Sequence, residues 1–137
     1  MTDATNHLVD GYYATWGAGD FDGLAALLAD DFKFRGALDS ADGPAAFIAL
    51  IQRNAPAFDG ARFVEVRRVV DGDRAVSLYR FELGGASVPM AEAFEVRGGR
   101  IARVDLYFDP ARFALPGAPS GGRDPESAMP TAPPVGG

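Results

Sequence analysis

The sequence predicts an α+β fold: a half of three helices followed by a mainly antiparallel sheet. Two observations carry this. Apolar residues recur at helical spacing up to about residue 55, and beyond Gly60 the period changes to two. Between the period-two runs lie Asp71-Gly72-Asp73, Gly84-Gly85 and Gly98-Gly99, residues that tolerate the positive φ of tight turns. The regular alternation of strand and helix that builds a doubly wound sheet is missing.

Leu8, Val9, Tyr12, Tyr13 and Trp16 form the apolar stripe of a first helix, which Gly17 and Gly19 end. Asp20 is placed to cap a second helix with Leu24, Leu27 and Leu28 on its apolar side. Phe32-Lys33-Phe34-Arg35 alternates as a short strand. Gly43-Pro44 opens a third helix, because proline suits the first helical position. Phe47, Ile48 and Ile51 form its buried stripe, and Pro56 stops it. In the segment between, Asp39 reads as a turn former or cap and Asp42 as the cap of the third helix. Residues 62–70, 75–83, 87–97 and 100–108 are rich in Val, Phe, Tyr and Ile and read as a four-strand meander. From Ala114 to Gly137 there are six prolines, five glycines and no aromatic residue. Such a segment buries too little apolar surface to offset its ordering entropy. The domain is therefore expected at 1–113, with a disordered tail at 114–137.

Composition excludes several functions. The 137 residues fit one domain, and no apolar run reaches the length of a membrane span. The N-terminus lacks a basic-then-apolar signal pattern, so a cytoplasmic protein is expected. There is no Cys and one His, His7, which removes thiolate chemistry and leaves no metal site expected. The net charge is −6 with no basic cluster, a poor start for nucleic-acid binding.

The run Tyr12-Tyr13-Ala14-Thr15-Trp16-Gly17-Ala18-Gly19-Asp20-Phe21-Asp22-Gly23, continuing to Asp30-Asp31-Phe32, resembles the opening of the nuclear transport factor 2-like superfamily. That superfamily includes ketosteroid isomerases and SnoaL-like polyketide cyclases. The closing stretch from Ala91 to Ile101, with Tyr107-Phe108-Asp109-Pro110, is similar to the end of SnoaL-like domains. The resemblance covers residues 8 to 113. It implies three N-terminal helices packed in the concave face of a curved, mainly antiparallel sheet, with a cone-shaped apolar pocket between them.

Strand alternation places Met90, Glu92, Phe94 and Val96 on one face. An acid among apolar neighbours is either paired or has its pKa raised by desolvation. In ketosteroid isomerases a Tyr of the first helix and an acid of the penultimate strand form the oxyanion hole, the acid kept neutral. The resemblance puts Tyr12 and Glu92 on those positions. It puts Gly36 where the isomerase has its catalytic Asp, and Asp39, three residues on, is the candidate substitute. Leu106 stands where the superfamily's epoxide hydrolases have an acid, which turns the reading away from their chemistry. Asp105 is expected to point outward. Glu65 shares a face with Phe63, Arg67 and Val69, where a cross-strand ion pair is the expected role.

The expected ligand wall is Trp16, Phe34, Phe47, Ile51, Tyr79, Phe81, Met90, Phe94, Val104, Leu106 and Phe108. Tyr12, Glu92 and Asp39 are the candidate catalytic residues. Together they suggest cofactor-independent acid/base chemistry on a small apolar, polyketide- or steroid-like molecule: isomerisation, cyclisation or dehydration. The alternative is a non-catalytic ligand-binding or dimeric accessory module of the same fold. Val76 and Leu78, with Val64 and Val66, suggest an apolar outer sheet face and hence a homodimer.

Overall fold

A computed structural model describes residues 2–113. The tail reading falls outside them. Helix α1 spans Thr2–Ala18, α2 Phe21–Ala26 and α3 Pro44–Asn54. Six strands follow the chain as β1 Leu28–Arg35, β2 Ser40–Asp42, β3 Arg62–Asp71, β4 Arg74–Leu83, β5 Ala86–Arg97 and β6 Arg100–Tyr107. Short 3₁₀ turns occupy Ala55–Phe58 and Pro110–Phe113. The sheet order is β2-β1-β6-β5-β4-β3. Every neighbouring pair is antiparallel except β1 and β6, which run parallel.

The two ends of the first loop region differ from expectation. Leu28 belongs to β1, not to the second helix. Asp20 caps α2 by accepting from the Gly23 amide at 2.9 Å. The helix then lasts six residues, because the Leu27 carbonyl is taken by the Ile101 amide of β6 at 2.8 Å, which draws the chain into the sheet. After Arg35 the chain turns back, the Gly36 amide donating to the Asp39 carbonyl at 2.8 Å, and pairs as β2. Asp42 does not cap α3. The cap is Gly43, at φ 89°, a conformation that favours glycine. The Asp42 carboxylate instead meets Arg35 at 2.9 Å and Lys33 at 3.8 Å.

Glycines carry the tight turns as expected. Gly84 and Gly85 have φ of 58° and 90°, and Gly98 and Gly99 61° and 77°, giving two-residue hairpins. Three register irregularities curve the sheet, one between β1 and β6 and two in the β3–β6 meander. Between the pairs Val64–Arg80 and Arg67–Leu78, Glu65 and Val66 both stand opposite Tyr79. On β6, the register also slips between Ile101 and Arg103. The first bulge overturns the face assignment of β3. Phe63 points inward, but Glu65 meets Arg80 at 3.4 Å on the outer face and Arg67 is exposed. Arg68 takes the inward place, directly opposite Ser77. Glu65 pays for the bend with φ 56°, the one positive φ among the described non-glycine residues.

The core has two centres. Val9, Leu24, Phe32, Phe47, Phe94 and Val104 pack where the helices meet β1, β5 and β6. Tyr79, Phe81, Val88 and Met90 form the second, closed over by Phe58, Phe108 and Phe113. Tyr13, Trp16 and Leu106 touch both, and a cavity opens between the centres. Among the described residues no helix is long and apolar enough to cross a membrane.

Candidate functional site

The cavity has a volume of about 340 Å³. Helix α1 supplies Tyr12, Tyr13 and Trp16 at spacings of one, three and four residues, which keep them on one side of the helix. Alternation on β4 supplies Tyr79, Phe81 and Leu83, and on β5 Met90 and Glu92. Phe34 enters from β1, Phe47 and Ile51 from α3, and Leu106 and Phe108 from the end of the sheet. Two members of the expected wall are elsewhere. Phe94 and Val104 are buried in the first core centre, a layer beneath the cavity. Phe94 is two residues beyond Glu92 on the same face, where Tyr12 and Tyr13 pack edge-on against its ring and cover it.

Glu92 is 4% exposed and is the one charged side chain buried among the described residues. It meets three tyrosines. The Tyr13 hydroxyl donates to its Oε1 at 2.6 Å and the Tyr79 hydroxyl to the same oxygen at 2.9 Å. Tyr12 donates to Oε2 at the longer distance of 3.3 Å. Burial raises the Glu92 pKa above its ordinary value of 4.5, and the three hydroxyls pull it partly back. The same burial, with the Glu92 charge next, raises all three tyrosines, so their hydroxyls remain donors.

The two short bonds saturate Oε1 as an acceptor. Oε2 keeps one long contact, so it is the oxygen that can carry a proton or meet a ligand. The aromatic rings hold this geometry. Tyr79 stacks on Phe63 at 4.8 Å, and Tyr13 stands edge-on to both.

Asp39 lines the cavity from the β1–β2 turn and is exposed, so it stands at the rim. It and Glu92 are the two carboxylates of the lining. Gly36 lies beside it. A Cβ there would stand 3.0 Å from the Phe34 ring, so the aromatic wall occupies the space a side chain would need. Asp105 is bound by Arg103 at 2.8 Å and is not in the lining. The sequence reading missed Tyr13 as a partner of Glu92. It also missed Phe63, Phe58 and Phe113 as walls. Tyr13 was legible as part of the helix stripe. That its hydroxyl reaches an acid 79 residues on depends on the helix lying across β4 and β5. No group of three or more potential ligands placed to hold a metal ion occurs among the described residues.

Comparison with known proteins agrees with this architecture. The sequence profile of the SnoaL-like domain matches residues 9–104. No curated protein matches the sequence. Among solved structures, a candidate polyketide cyclase from Pseudomonas putida KT2440 is 26% identical with a TM-score of 0.67, over 82% of this chain and 96% of that one. A candidate ketosteroid isomerase from Kribbella flavida DSM 17836 is 23% identical with a TM-score of 0.71, over 97% and 93%. TerC, co-crystallised with polyporic acid, is 20% identical with a TM-score of 0.69, over 80% and 95%.

Proposed function

The chain belongs to the SnoaL-like domain family, of nuclear transport factor 2-like fold, and on that premise we propose that it is an acid/base enzyme acting on a small apolar carbonyl compound. The observation that carries this reading is a buried glutamic acid, held by three tyrosine hydroxyls, at the wall of an otherwise mostly apolar cavity. A carboxyl group with no cation against it in such surroundings favours its neutral form. With Oε1 occupied by Tyr13 and Tyr79, the proton sits on Oε2. The Oε2 hydroxyl and the loosely bound Tyr12 hydroxyl then converge on one ligand oxygen.

A carbonyl oxygen bound by both donors gains negative charge as a proton leaves the adjacent carbon. Preorganised donors in a water-poor site stabilise that charge strongly. The proton passes to Asp39 at the rim or to water, and returns at a second carbon to complete an isomerisation, or the enolate closes a ring or expels a hydroxyl. Each outcome needs only an acid, a base and an oxyanion site. The aromatic walls suit a ring-containing substrate of polyketide or steroid type. In the same reading the protein is a homodimer, because Val66, Val69, Val76 and Tyr107 are exposed on the sheet.

The test is deuterium exchange next to the carbonyl of 2-tetralone, a two-ring apolar ketone. The wild type is expected to accelerate exchange. Glu92→Ala should lose about 10²–10³ of that acceleration. Glu92→Gln keeps a donor and should retain part of it. Equal loss in Gln and Ala variants would make Glu92 the base instead, and equal activity in all three would refute both roles.

A further inference from the structure

The β3 bulge brings a cation to the back of the tyrosine cluster. Adding one residue opposite Tyr79 turns Arg68 inward and sets it directly across from Ser77. Ser77 in turn stands directly across from Glu92 on β5. Arg68, Ser77 and Glu92 thus form one inward row over three strands. The Arg68 side chain is 16% exposed. Its Nε donates to Ser77 Oγ at 3.2 Å. Its NH1 donates to Asp10 Oδ1 at 2.6 Å and to Asn6 Oδ1 at 2.7 Å, both on α1. The guanidinium carbon lies 5.8 Å from the Tyr13 ring centre.

Ser77 is fully buried and holds the guanidinium in place through its Oγ. The anchored guanidinium faces the Tyr13 ring, and the Tyr13 hydroxyl donates to Glu92 Oε1. A cation over a phenol ring draws charge from it and strengthens its hydroxyl as a donor. Tyr13 is therefore a stronger donor than an isolated tyrosine, in keeping with its 2.6 Å bond, the shortest of the three on Glu92.

We propose that Arg68 is a positioning residue for Glu92: anchored by Ser77 and Asp10 against the Tyr13 ring, it holds and polarises the Tyr13 hydroxyl on Oε1, which directs the reactive proton to Oε2. This rests on the acid/base reading above. It also explains why β3 holds a strained bulge beside the site. The groups facing Glu92 are Tyr12 and Tyr13 from α1, Ser77 and Tyr79 from β4 and Leu106 from β6; those facing Arg68 are Asp10, Asn6, Ser77 and Tyr13.

The experiment follows the Glu92 carboxyl carbon by NMR through a pH titration, its signal identified by loss in Glu92→Gln, alongside kcat and KM for 2-tetralone exchange. Arg68→Met and Ser77→Ala should each make Glu92 an about tenfold weaker acid. Arg68→Lys keeps the charge without the planar fork and should fall between. The exchange kcat should change more than KM. An unmoved Glu92 titration in both Arg68→Met and Ser77→Ala overturns the proposal, whatever happens to thermal stability, and leaves Arg68 a tie between α1 and β3. If Arg68→Met does not fold, Ser77→Ala decides alone. A wild type inactive on 2-tetralone whose variants still shift Glu92 refutes the acid/base reading and keeps the positioning. An active wild type with unshifted variants does the reverse.

Discussion

At the scale of single residues, the buried Glu92 ties stability to pH. Its folded-state pKa is raised above the ordinary 4.5 that it has when unfolded. The folded protein therefore holds this proton more tightly than the unfolded chain. The corresponding stability is complete below pH 4.5 and is lost as pH rises through the folded value. Glu92→Gln removes the titration. The melting temperature of the wild type, measured against that variant, should thus fall as pH rises from 4.5 and then level off. A difference that stays flat across that window would show that burial does not favour the neutral acid. The tyrosines matter for a related reason. Each hydroxyl is buried or half-buried with Glu92 as its partner, and removing one leaves the carboxyl with an unmet acceptor.

At the scale of elements, the bulge in β3 is the costliest local feature. Glu65 sits at φ 56°, where a side chain is crowded by its own carbonyl. Its ion pair with Arg80 is solvent-exposed and stabilises little. Glu65→Gly should therefore leave the thermal midpoint unchanged or raise it. Glu65→Val, β-branched, should lower stability by about 1–2 kcal/mol. Equal midpoints for Gly and Val would mean the backbone relaxes out of the bulge. The same element shows what the sequence could not reveal. Period-two alternation carried the face assignments of β4 and β5 correctly, because those strands pair without interruption. On β3 the extra residue inverted everything beyond Val64, so Arg67 was expected where Arg68 stands. No residue type marks the spot, since Glu65 is not a glycine. The start of β1 was hidden similarly: Leu28 continues the helical spacing, and only pairing with Ile101 of β6 places it in the sheet. Turns were legible because Gly-Gly states its own geometry. Glu92 was legible because an acid on an apolar strand face is conspicuous, whereas the three-tyrosine cluster requires α1 to cross two strands.

At the scale of the whole molecule, the helices cover one face of the sheet and leave the other to solvent. Val69 pairs with Val76 across β3 and β4, and both are exposed, as is Val66. A second copy placed there would bury this apolar surface, each strand meeting its symmetry mate as in a twofold interface. Sedimentation at micromolar concentration should therefore give twice the 14.4 kDa of the chain. Val69→Lys with Val76→Lys should return it to one, with the cavity and Glu92 unaffected. A single-chain mass in the wild type would leave the outer face as ordinary exposed surface.

Glu92, buried in a mostly apolar wall with its pKa raised, has a protonation state that can be read without knowing the substrate. The measurement is the carboxyl-carbon resonance of Glu92 in the wild type, followed through a pH titration. The account predicts a midpoint above the ordinary 4.5, with the proton still present where the exposed glutamates have lost theirs. A Glu92 that titrates together with those exposed glutamates would contradict it.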